Sequence, residues 1–169
     1  MFKKIVLVAF LLSLSAIWLP EIVCAADETI YELSEQLSSK FPTVEAIKVK
    51  FGDGAEWEEE TMPSPHDPGL TLYIKHMKHP EMEIRTMGYA SEDGDRLIIL
   101  FLNAKKAGFV DFLGVDIGSS KEDVVKKFGS PQETEGNELR YKDENEFCLV
   151  TFIVENNKVV RMSFSCYPD

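Results

Sequence analysis

The sequence has no Gly-x-Ser-x-Gly element, so the sharp turn that exposes a nucleophilic serine in many hydrolases is not encoded. Histidine is scarce. There are three in 169 residues, His66, His76 and His79, all in one short stretch. Nothing in that spacing sets an imidazole beside a nucleophile, and the chain reads as a non-enzyme with no cofactor. Basic charge is also short, with 18 Lys and Arg against 29 Asp and Glu, a net of −11. That balance argues against nucleic acid or an anionic membrane surface as partner. No apolar run reaches the ~20 residues that span a bilayer.

The longest apolar run, Ile5 to Leu19, follows Lys3-Lys4 and precedes Pro20 and the small residues of Val23-Cys24-Ala25-Ala26. A charged start, a short apolar stretch, a helix breaker and a small-residue end make a signal peptide, residues 1–26, cleaved near Ala25 or Ala26. Cys24 offers a lipoprotein alternative. Val23 and Ile22 stand where such a signal wants small residues, and simple cleavage is the better reading. The remaining residues 27–169 are expected to be periplasmic or secreted, of a size that suits one domain. Two cysteines then remain, Cys148 and Cys166, and an even number outside the cytoplasm suggests a disulfide.

Ile30, Leu33, Leu37 and Phe41 recur at helical spacing, which predicts a helix over 27–41 capped by Asp27 and stopped by Pro42. Val44 to Phe51 alternates apolar residues with lysines and reads as a strand. Glu56 to Glu60 is an acidic run around Trp57, and 62–69 reads as a proline-rich loop. Two strands, 70–77 and 82–89, are expected around Lys78-His79-Pro80. A turn follows at Ser91–Asp95, where three carboxylates resemble a calcium loop less than a plain Asp-Gly turn. Arg96 to Asn103 is apolar on both faces and reads as a central strand. A helix after Ser119-Ser120 carries capping boxes and ends at Gly129. Three strands, near 138–142, 147–154 and 158–166, close the chain.

The last hairpin allows a sharper argument. Cys148, Val150, Phe152 and Val154 form one apolar face, and Val160, Met162, Phe164 and Cys166 another. A two-residue turn at Asn156-Asn157 would put one of those faces in water. A three-residue turn, 156–158, pairs 155 with 159 and sets Cys148 opposite Cys166. A bond there is worth about 3 kcal/mol in the chain-entropy model. The alternative is two buried free thiols.

The segment Gly114-Val-Asp-Ile-Gly-Ser-Ser-Lys-Glu-Asp-Val-Val-Lys-Lys-Phe-Gly-Ser-Pro131 looks like a known pattern, as do Leu139-Arg-Tyr141 and 149–162 behind it. Together they resemble the beta-lactamase inhibitor protein-like superfamily, which includes the small outer-membrane assembly lipoproteins of the BamE type (SmpA/OmlA-like). The resemblance implies a short helix after I-G-x-S, ending at G-x-P and packed on an antiparallel sheet. It also implies a non-catalytic role in which the open sheet face, or loops at its edge, hold another protein. The first half lacks both marks. As a degenerate second copy it would make the domain two helix-plus-sheet repeats, 27–108 and 109–169.

The expected fold is therefore α+β, an antiparallel sheet with short helices on one face. Its core is expected to include Val124, Phe128, Val150, Phe152, Val160, Met162 and Phe164. The expected recognition face carries Tyr73, Lys75, Met77, Arg85, Met87, Tyr89 and Arg161, with Trp57 in the acidic run beside it. These odd-numbered residues share a parity opposite Leu72, Ile74 and Ile84, and Tyr, Met, Arg and Trp are favoured at interfaces. The partner expected is another extracytoplasmic protein. The competing reading is a soft-metal carrier, with copper held by His76, Met77, His79 and Met82.

Overall fold

The computed structural model describes residues 22–51, 54–64, 67, 69–89 and 97–167, without the side chains of 22–27 and of Tyr89. Most of the expected signal segment, the turns at Gly52-Asp53 and Ser91–Asp95, and His66 lie outside the described residues.

Among the described residues there are three helices and eight strands: α1 (Ile22–Lys40), α2 (Val44–Phe51), β1 (Glu56–Pro63), β2 (Thr71–His79), β3 (Met82–Tyr89), β4 (Leu97–Ala104), α3 (Lys121–Phe128), β5 (Glu133–Glu135), β6 (Glu138–Lys142), β7 (Cys148–Glu155) and β8 (Lys158–Cys166). The strands form one antiparallel sheet in the order β1-β2-β3-β4-β8-β7-β6-β5. The fold is α+β, and the expected central position of the 96–103 segment holds. The chain is one merged sheet rather than two evident repeats.

α1 buries Ile30, Leu33 and Leu37, the stripe read from the sequence, and Phe41 continues it. The helix extends back to Ile22, so Asp27 lies within it rather than at its cap. The strand expected over 44–51 is helix α2. Thr43, freed by Pro42, starts it by accepting the Ala46 N–H on its hydroxyl at 3.2 Å. Val44, Ile47 and Phe51 then fall on one buried face, while Val49 is 84% exposed. Eight residues satisfied both periods, and the cap decided between them.

α3 begins with the Ser120–Asp123 capping box, closed by backbone bonds of 3.0 and 3.1 Å in the two directions. Gly129, at φ +80°, ends it. Between β4 and α3 the chain is fastened to α1. Asp111 accepts from Gln36 Nε2 and from Gly114 N–H and is ion-paired with Lys40. Gln36 Oε1 in turn accepts from Leu113 N–H.

One core joins all three helices to one sheet face. Phe152 touches Phe112, Phe128 and Tyr141 ring to ring, at 5.0–6.0 Å. Val110, Val115, Met77, Ile84, Leu102, Met162 and Phe164 complete that layer. The strand residues of this core share one face by register.

The β7–β8 hairpin uses a two-residue turn, with Glu155 opposite Lys158 and both Asn156 and Asn157 at positive φ. A three-residue turn was expected. The parity that a two-residue turn would break is restored by a bulge, since Val154 pairs Val159 and Ile153 pairs Arg161. Val160 is the extra residue. It is 37% exposed and absent from the core, and Val159 takes its expected place. Beyond the bulge the expected register holds, and Cys148 lies opposite Cys166 with Cα atoms 4.1 Å apart, joined as a disulfide.

Candidate functional site

Among the described residues the helices cover one face of the sheet and leave the other without a layer. The β2–β3 register sorts the expected recognition residues between these faces. The connecting turn is the two residues Pro80-Glu81, so odd numbers pair with even: Met77 with Ile84, Lys75 with Thr86, His76 with Arg85. Residues opposite each other share a face. Tyr73, Lys75 and Met77 therefore lie on the helix-covered face, and Met77 is fully buried in the core. Trp57 joins them, half-buried, with Lys48 of α2 5.8 Å over its ring. Arg85, Met87 and Arg161 lie on the open face, as does the backbone position of Tyr89. The expected single face of seven residues is thus split. The sequence reading gave both strands one parity, which a two-residue turn does not allow.

The metal-ligand set is divided in the same way. His79 pairs with Met82 on the helix face, and His76 pairs with Arg85 on the open face. Met77 and Met82 are buried core residues. The His79 ring packs edge-on to Phe109, and its Nδ1 accepts the Glu81 N–H at 3.1 Å. The His76 ring stands between carboxylates, 2.6 Å from Glu83 and 3.6 Å from Glu58. The two imidazoles cannot meet at one ion.

Register builds the open face in rows. One polar row crosses every strand: Glu56, Lys78, Glu83, Asn103, Ser163, Thr151, Arg140, Glu133. Ion pairs lie near both ends. Lys78 meets Glu58 at 2.7 Å, and that hydrogen bond and charge hold the Glu58 carboxyl below its usual range. At the far end Lys142 does the same to Glu133, at 2.8 Å, and Arg140 bonds Glu138 at 2.8 Å. At the centre the Asn103 side-chain oxygen is buried with no donor among the described residues. The next row sets Arg85 beside Phe101, and a third sets Ile74, Met87 and Ile98 side by side. Ile98 is 41% exposed. The 96–103 strand, read as covered on both faces, is covered on one.

Arg85 and Arg161 are both exposed, and neither has an ion-pair partner among the described residues. By contrast Lys75, Lys78, Arg140 and Lys142, also in the sheet, are paired.

A concavity lies at the sheet's margin. A groove of about 780 Å³ beside α1 is lined by Tyr31, Ser34, Glu35, Ser38, Ser39, Pro42, Leu97 and Ile98. A smaller one of about 330 Å³ shares Tyr31 and Ser34 with it and runs to the disulfide. Sequence reasoning missed Ile98, Phe101, Asn103 and Tyr31. For the first two, the signal was an apolar run longer than one buried face requires.

No family model matches the chain, and no curated protein matches it. A comparison with solved structures finds a DUF4309 family protein (YjgB) from Bacillus subtilis. It is 16% identical, with 87% of this chain and 97% of that chain covered and a TM-score of 0.36, a likeness too slight to assign fold or function.

Proposed function

We propose that this protein is an extracytoplasmic, non-catalytic binding module that holds a protein partner on the open face of its sheet. The observation that carries the reading is exposed Arg85, without an ion-pair partner among the described residues and set beside Met87, Ile98 and Phe101, with exposed Arg161 on the same face across the polar row of Asn103 and Ser163. In a chain of net charge −11, exposed cations without ion-pair partners among the described residues favour an acidic patch on the partner. The adjacent apolar row supplies a dry centre. The superfamily resemblance points the same way, since its members hold proteins with this kind of face. The mirrored strand order, four strands from each half meeting at β4 and β8, supports reading 27–108 and 109–169 as repeats. The signal segment and the disulfide support a periplasmic or secreted location.

The test begins with cross-linking in envelope or culture-supernatant extract, identification and purification of the captured protein, and direct titration. Arg85→Glu with Arg161→Glu is expected to weaken binding at least about tenfold, or about 1.4 kcal/mol. Tyr73→Ala on the covered face should leave it unchanged. Equal affinity for the arginine variant would remove the open face as the site.

A further inference from the structure

We propose that the outer edge of β1 receives an extended, lysine- or arginine-bearing segment of a partner protein as an added strand of the sheet. β1 ends the strand order and has no neighbour on its outer side among the described residues. It runs for eight residues, whereas β5 at the opposite edge has three. Its pairing with β2 is continuous from Glu56 to Pro63, with no bulge to twist the edge away. Every second residue of such a strand directs its N–H and C=O outward, a template for a further strand. Pro63 has no N–H to offer, so the usable ladder is Glu56 to Met62.

Side chains on this edge select the occupant. Glu58 is engaged by Lys78 and His76, and Glu59 by Lys75 at 3.9 Å. Glu56 and Glu60 flank Glu58 on the open face and have no ion-pair partner among the described residues. A second copy of this chain fits poorly, because β1 against β1 would oppose glutamates to glutamates. A strand with Lys or Arg at alternate positions sets its cations on one face, beside Glu56 and Glu60. Backbone bonds then supply affinity and the glutamates supply selectivity. This edge is separate from Arg85, Phe101 and Arg161, and it can succeed or fail without them.

The probe is a synthetic ten-residue peptide alternating lysine with threonine or valine, titrated into the full chain and followed by fluorescence anisotropy and amide hydrogen exchange. The expected result is saturable binding with new protection in β1. Glu56→Lys with Glu60→Lys should weaken it at least about tenfold, and Arg85→Glu should leave it unchanged. Peptides N-methylated at alternate residues, in either alternation, keep the charge but lose half the donors, and one of the two should not bind. Three results would overturn the edge: no saturable binding, equal binding of both N-methylated peptides, or protection confined to the open face.

Discussion

Lys40, in the last turn of α1, is ion-paired with Asp111 in the segment that joins β4 to α3. Partial burial pushes the Asp111 carboxyl up. The hydrogen bonds from Lys40, Gly114 and Gln36 and the lysine charge outweigh it and hold the group at about 2, against an ordinary 3.8. A depressed carboxylate stabilises the fold fully above its unfolded value, and the contribution is lost as pH falls through about 4 towards 2. Discounted for solvent screening at this partly exposed site, the effect is about 1 kcal/mol. Asp111→Asn should lower the urea midpoint at pH 7 and flatten the loss of stability between pH 4 and 2. A variant as acid-sensitive as the parent would show that this pair contributes nothing.

The Cys148–Cys166 bond closes a loop with a sequence separation of 18. Reduction, or replacement of both cysteines by alanine, should cost about 2–4 kcal/mol. Denaturant curves with and without reductant measure it. Coincident curves would mean that the two strands hold without the bond.

Phe152 is fully buried against three other rings. Phe152→Ala should cost about 3–5 kcal/mol, through lost transfer energy and an unfilled cavity. Thermal unfolding reads the effect directly. A cost near that of an exposed residue would mean that α3 closes over the gap.

Asn103 keeps a buried side-chain oxygen without a donor among the described residues, at the middle of the polar row. An unmet acceptor of this kind costs about 1–3 kcal/mol. Asn103→Leu should therefore unfold at equal or higher denaturant than the parent, unlike most core-adjacent substitutions. A clear destabilisation would indicate that the amide is satisfied in solution, for example by a water.

The elements legible in the sequence were those whose two faces differ chemically. β8 alternates apolar with polar residues from Val160 to Cys166, and β7 carries its apolar face at even positions, so their register and the opposition of Cys148 and Cys166 could be derived even though the turn was one residue shorter than expected. The restoring bulge at Val160 carries no sequence signal of its own. α2 was misread because Val44, Ile47 and Phe51 fit a helix while Ile47, Val49 and Phe51 fit a strand, and only the Thr43 cap separates them. β1 went unseen because an edge strand buries little, and Glu56 to Met62 shows no alternation. The recognition face was split because Pro80-Glu81 fixes a parity that no single strand reveals.

The mirrored order of the sheet bears on how the chain reaches this structure. β4 is joined to β8, so residues 101–104 wait for residues 162–165, and the middle of the sheet is completed by the latest of the described strands in chain order. The first four strands can form local hairpins early. Leu102 and its core neighbours stay partly unsheltered until β8 docks, and such distant pairings are slow. Loss of the final strand would therefore open a seam through the centre rather than trim a border. The disulfide at its far end ties that late-arriving strand to β7.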